Sequence, residues 1–224
     1  MHRRDILKAS IASMLGITFG YTEKVEGKGL FRRDLVTKCG IECSTLASQD
    51  VKKFRPDRWG GPNTVDGHTH LTYHIFNRDN DFVPSVWDRE IKKSFDCWTK
   101  VTNLSFEMTD KIEESDIIIG SSGRRRSSFG KSGGVLAWAQ LPSSRDYDGQ
   151  LWSMFDSAEN WTLAPEEAGT LFRAVCAHEI GHLLGLGHSA FDTALMYPYY
   201  NSNIEVPQMQ DDIPRIQRLY GKVK

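Results

Sequence analysis

Apolar and polar positions alternate through HLTYHIFN, where Leu71, Tyr73 and Ile75 fall on one side and Thr72, His74 and Phe76 on the other. That period of two predicts a strand. The period then lengthens: in PSVWDREIKKSFDCWTKVT, Trp87, Ile91, Phe95 and Trp98 recur at spacings of three and four, the stripe of an amphipathic helix. LSFEM, SDIIIGS, GGVLAWAQLP and QLWSMFD follow as four short strands separated by turn residues. A second helix is expected to begin after Pro165 and Glu166 and to run through TLFRAVCAHEIGHLL. A last helix fits QDDIPRIQRLY provided Pro214 sits in the first turn, where its missing N–H breaks no hydrogen bond. Strand, helix, four strands and two helices make an α+β domain with one mixed sheet and helices packed against it.

The N-terminal part reads differently. MHRRDILKASIASMLGITFG places Arg3, Arg4 and Lys8 before an apolar run from Ile11 to Phe19, the layout of an export signal. RRDILK also resembles a twin-arginine signal; an ordinary amphipathic helix is the alternative. The polar stretch that follows is rich in Gly, Lys and Asp and weakly periodic. The organisation expected is an export signal over 1–24, a linker or short pro-segment over 25–66, and a catalytic domain over 67–224.

With 39% hydrophobic and 25% charged residues, the 224-residue chain has the composition of an ordered domain. A formal net charge of -1 argues against nucleic acid as the main partner, because phosphate binding needs a basic face. No stretch is apolar for the length of a membrane span, and a monomer is expected. GRRRSS, residues 123–128, reads as a solvated loop tip. Of the four cysteines, Cys97 and Cys176 lie among apolar residues and read as buried, inert thiols, with a bridge between them as the alternative.

The chemistry concentrates in HEIGHLLGLGHSAFDTALMYP, which holds His178, His182 and His188 at spacings of four and six. Residues four apart on a helix share a face, so the first two rings address one point in space. Two ring nitrogens there can both reach a zinc ion about 2 Å away. Gly185 can take a left-handed conformation, end the helix and turn the chain so that His188 returns as a third ligand. Three neutral imidazoles leave a fourth position for water, the arrangement of a catalytic zinc. Glu179 lies beside the ion as a general base, able to take the water's proton and pass it to a leaving amine. His68, His70 and His74 lack helical spacing and read as ordinary strand residues; His2 belongs to the signal.

HEIGHLLGLGHS followed by ALMYP resembles the matrixin branch of the metzincin zinc peptidases, and Ser189 after the third histidine favours matrixins over the branches that place an acid there. HLTYHIFN, CWTKVTNLSFE, SDIIIG, GGVLAWA, FDSAENWT and QDDIPRIQRLYG each resemble a matrixin segment, in order, across roughly residues 70 to 221. The resemblance implies a matrixin-like catalytic domain, a twisted five-stranded mixed sheet with three helices and zinc in a cleft. It implies a secreted zinc endopeptidase acting on polypeptide. An edge strand with Val135, Leu136 and Ala137 would pair with substrate backbone. Met196 would underlie the metal, and Pro198 and Tyr199 would wall the pocket beyond the scissile bond. Ala174, four residues before the first histidine, would leave that pocket deep enough for a long apolar side chain.

The departures from the family pattern carry their own expectations. Trp138, Met154 and GSSGRRR stand where matrixins hold a second, structural zinc, so one zinc is expected. Asp156 and Glu159 match the family's calcium carboxylates, but Gly130 replaces an aspartate, which predicts weakened calcium binding. In TKCGIEC, Cys39 is a candidate for the thiolate that keeps matrixin precursors latent. Lys38 loses the guanidinium fork of the family motif, Glu42 and Cys43 replace its Pro-Asp, and a plain segment or a local Cys39–Cys43 pairing competes. Two other functions compete with the endopeptidase: a zinc-stabilised binding module without turnover, and a zinc hydrolase of cell-wall peptides.

Overall fold

A computed structural model describes residues 59, 63–78, 80–122, 129–142 and 150–223, and residues 36–40 as backbone alone. The expected export signal, Cys43 and the triple-arginine loop lie outside those residues. The elements are β1 (Val36–Gly40), β2 (Thr64–Val65), β3 (His68–Asn77), α1 (Pro84–Thr99), β4 (Leu104–Met108), β5 (Ile117–Ser122), β6 (Val135–Gln140) and β7 (Leu151–Asp156). After them come β8 (Trp161–Thr162), β9 (Thr170–Leu171), α2 (Phe172–Leu183) and α3 (Asp212–Tyr220). Five strands form the mixed sheet that the periodicity predicts, with β7, β5, β3 and β4 parallel to one another and β6 antiparallel to β7. β2 adds a short hairpin to the start of β3, and β1 pairs antiparallel along the outer side of β6.

Position in the sheet explains the residue patterns. β3 buries Thr69, Leu71, Tyr73 and Ile75 in alternation. β5 is flanked on both sides by parallel neighbours, and its run Ile117, Ile118, Ile119 is wholly buried, as expected for a strand covered on both faces. The stripe on α1 is fully inside: Trp87, Ile91, Phe95 and Trp98 have at most 1% of their surface exposed. Trp87 and Phe172 pack edge to face at 4.4 Å between ring centroids, and Phe155 and Trp161 join the same aromatic cluster. Large rings in offset or edge contact add packing energy beyond their buried area.

Two features depart from the pattern reading. The second helix begins at Phe172 instead of after Glu166. Thr170 and Leu171 are drawn into a parallel bridge with Trp161 and Thr162, so tertiary pairing overrides the helical composition of the preceding residues. Trp59, within the stretch read as a linker, is buried, and its indole donates to the Leu183 carbonyl at 2.7 Å. Its backbone N–H donates to the Tyr220 hydroxyl, which donates in turn to the Leu184 carbonyl, tying the ends of α2 and α3 together. Pro214 does sit in the first turn of α3.

Candidate metal centre

Helix α2 carries His178 and His182 one turn apart, against α1. Trp98 of α1 donates its indole N–H to the Ala177 carbonyl, which sets the rotation of α2 and hence the direction of both rings. The helix stops as the glycine spacing predicts. Gly185 has φ 95°, its N–H donates to the His182 carbonyl, and Leu186 N–H reaches back to Gly181. The reversed chain then delivers His188.

Second contacts fix the rings. His178 Nδ1 lies 2.7 Å from the Leu195 carbonyl oxygen and His182 Nδ1 2.7 Å from that of Leu186, so each Nδ1–H donates and each Nε2 keeps its lone pair. The two Nε2 atoms are 3.1 Å apart, and one nitrogen from each of the three rings lies within 4.8 Å of the others. No described residue partners His188 Nε2, although it is buried. Burial pushes the His178 imidazole down to about 4, against the pull of the Leu195 carbonyl. Burial, then the charges of His178 and Arg215, takes His188 down to about 3, and burial likewise holds His182 well below its ordinary value. All three are neutral at pH 7.

Converging lone pairs repel unless a cation sits between them. Zinc bound tetrahedrally at about 2.0–2.1 Å would hold its ligand nitrogens about 3.3 Å apart, close to the spacing of the first pair. The residues fit that ion. Glu179, the residue after His178, is fully buried.

Met196 is fully buried, and its carbonyl accepts from Ser189 N–H at 2.7 Å. Below it stands a residue that motif reading overlooked. Asp212, at the start of α3, accepts N–H bonds from Leu195, Met196 and Gln208 at 2.7, 3.1 and 2.9 Å. Burial pushes its carboxyl above the usual range, against the three amides that pull it down. Arg215 bonds Asp211 and the Gly187 carbonyl, bracing the segment that carries His188. The signal for both was their place in QDDIPRIQRLY, but the helix face alone does not say what they touch.

Beside His178 opens a small cleft lined by Ala174 and Val175 of α2 together with Tyr199, Tyr200, Asn201 and Ile204. Ala174 and Tyr199 line the cleft; Pro198 is buried and does not, and Tyr200, Asn201 and Ile204 complete that side. The edge assigned to Val135, Leu136 and Ala137 is not open in this chain, because β1 lies along it with Cys39 opposite Ala137 in the register.

The matrixin family model matches residues 64–221. The chain belongs to the matrixin family. Stromelysin-1 of Equus caballus is 39% identical over 194 residues, which is 79% of this chain and 39% of that protein. Matrix metalloproteinase-16 of Rattus norvegicus is 37% identical over 202 residues, 82% of this chain and 32% of that one. Interstitial collagenase of Sus scrofa is 40% identical over 157 residues, 69% of this chain and 32% of that protein. The chain thus spans between about a third and two fifths of the length of these relatives.

Trp138 and Met154, read as standing where the family holds imidazoles, are register partners across β6 and β7. Asp156 and Glu159 are buried, and the Gly130–Gly133 loop turns its amides toward them. Gly130 and Ala158 N–H donate to Asp156 at 2.7 and 2.9 Å, and Gly133 N–H donates to Glu159 at 2.6 Å. Cys97 and Cys176 are both buried free thiols. Among the described residues no helix is long and apolar enough to cross a membrane.

Proposed function

We propose that this matrixin is an exported zinc endopeptidase that hydrolyses bonds within extended polypeptide, with Glu179 as the general base. The observation that carries the reading is the convergence of three neutral imidazole nitrogens beside a buried glutamate, with a cleft opening next to the first histidine. Matrix metalloproteinase-16 and interstitial collagenase are peptidases by name, which supports the reaction class. The arginine pair ahead of the first apolar run supports export.

Bound zinc supplies a Lewis acid for the scissile carbonyl and lowers the pKa of the water it holds to about 7. The chain's own part is positional and protolytic. The Leu195 and Leu186 carbonyls hold two imidazoles in the tautomer that leaves Nε2 free to bind. The Glu179 carboxylate takes a proton from the attacking water and delivers it to the leaving nitrogen, acting first as base and then as acid. The side chain after the cleaved bond enters the cleft beside Ala174, where a long apolar residue such as Leu or Met fills more of the space than Ala or Gly.

Substrate backbone lying along Val135, Leu136 and Ala137 would take the place that β1 holds. That competition supports reading residues 25–66 as a short pro-segment, with Cys39 inside the competing strand. One zinc per chain is proposed. Calcium at Asp156 and Glu159 is not required to tie the loop, since its amides already do so.

The test is peptide-library cleavage by purified protein, with and without a zinc chelator, beside Glu179→Gln. Losing the general base should cost about 10²–10⁴-fold in kcat while one zinc per chain remains bound. Retained cleavage in the variant would refute the mechanism. Zinc binding without any cleavage would favour the binding module, and cleavage confined to cell-wall peptides the third reading.

A further inference from the structure

The outer wall of the cleft is held by charge as well as by packing. Arg173, one residue before Ala174, points its guanidinium between two carboxylates: Nε lies 3.1 Å from Glu90 Oε2 on α1 and 3.3 Å from Glu205 Oε2. Glu205 follows Ile204, which lines the cleft. A second tether sits nearby, where the Tyr200 hydroxyl accepts the Leu171 N–H at 2.7 Å. Both ties run from the start of α2 to the segment that forms the wall. Asn201 accepts N–H bonds from Asn203 and Ile204, so the segment between the ties is a hydrogen-bonded turn.

The charges show which tie can be released. Glu90 is almost fully buried and is shared by Arg89 at 2.9 Å, Lys93 at 3.0 Å and Arg173. Burial pushes its carboxyl up, but the hydrogen bonds from Arg89 and Lys93 and the Arg173 charge outweigh it and hold the group below the usual carboxylate range. Three cations around one buried anion leave Arg173 with charge to spare for Glu205. Glu205 and Arg173 both keep more than a quarter of their side-chain surface in water, so this pair is open to screening by salt.

We propose that Arg173 and Glu205 form a clasp that sets how long a side chain the cleft admits. Glu205 is a positioning residue: it draws Ile204 and Asn201 toward Ala174, and releasing it lets the wall move outward without touching His178 or Glu179. The small Ala174 then governs depth on the helix side, while the clasp governs it on the loop side. The proposal rests on the endopeptidase reading for its functional consequence, but the clasp itself is independent of turnover.

Two quenched peptides that differ only after the scissile bond, Leu in one and 4-phenylphenylalanine in the other, test this in the zinc-loaded protein. In Glu205→Gln the kcat/KM ratio of the long residue to Leu should rise about fivefold or more. The change should lie in KM, with kcat for the Leu peptide within twofold, and 1 M salt should move the wild-type ratio the same way. A ratio within twofold of wild type, with both peptides cleaved, overturns the clasp. If neither protein cleaves either peptide, it is the endopeptidase reading that fails. The clasp is then read from hydrogen exchange of amides 201–206, which Glu205→Gln should speed about fivefold and which, unchanged, overturns it.

Discussion

Gly181 stands between the two helical histidines, and replacing it with alanine tests how tightly the metal site is packed from below. On helix propensity alone the change should stabilise α2 by about 1 kcal/mol, since glycine is a poor interior residue. The surroundings oppose it. A Cβ there would overlap Met196 Sδ and would lie 2.9 Å from Trp98 Cζ2 and 3.1 Å from Met196 Cε. Neither neighbour can yield cheaply. Trp98 is fully buried and held by its bond to the Ala177 carbonyl, and Met196 is fully buried on a turn pinned by Asp212. Overpacking a tight core costs about 1–3 kcal/mol, and a clash with the rigid Trp98 indole as well as the buried Met196 thioether belongs at the upper end. The net expectation for Gly181→Ala is a loss of about 1–2 kcal/mol, or about 2–8 °C in Tm for a domain of this size. Zinc affinity should fall as well, because the helix can relieve the overlap only by carrying His178 and His182 away from His188. The assay is thermal unfolding in saturating zinc, with zinc affinity from competition against a chelating dye. Gly181→Ala with Met196→Ala should recover part of the loss, a coupling that a double-mutant cycle measures directly. A raised Tm with unchanged zinc affinity would mean that Met196 swings aside freely and that the turn beneath the site is not rigid.

Two further outcomes are expected. Asp212→Ala removes the acceptor of three N–H bonds, leaving donors inside the fold at about 1–3 kcal/mol each if none finds water, so urea unfolding should show a loss of several kcal/mol. A loss under 1 kcal/mol would show that water replaces the carboxylate. The second concerns acid. Glu90 is held below its ordinary value of 4.5, so the unfolded chain takes up that proton first, and the stability Glu90 contributes is present above pH 4.5 and disappears as pH falls through the lower folded value. Glu90→Gln should be about 1–3 kcal/mol less stable at pH 7, because it removes the buried anion that Arg89, Lys93 and Arg173 share while water still reaches those cations. It should also show a shallower fall in the urea midpoint below pH 4.5 than wild type, and parallel curves for the two proteins would contradict the assignment.

What the residues determined by themselves is what lies within a few positions of itself along the chain. A helix repeats every 3.6 residues, so His178 and His182 had to share a face, and a glycine able to take positive φ had to turn the chain before His188. The same locality made β3, the buried face of α1 and the place of Pro214 readable, because each is a short-range period or a backbone rule. Contacts between distant positions were decided only when the chain closed on itself. Asp212 reaches the turn bearing Met196 across 16 residues, Trp59 reaches Leu183 across 124, and neither interval has a period to reveal it. The late start of α2 is of that kind too, since Thr170 and Leu171 are taken by a bridge to Trp161 and Thr162. So is the clasp: Arg173 lies beside Ala174 in sequence, but that its charge closes the far wall through Glu205 depends on a loop returning from 32 residues away. Spacing could assemble the ligands of an ion; the shape of the cleft beside it required the whole fold, because every wall comes from a different part of the chain.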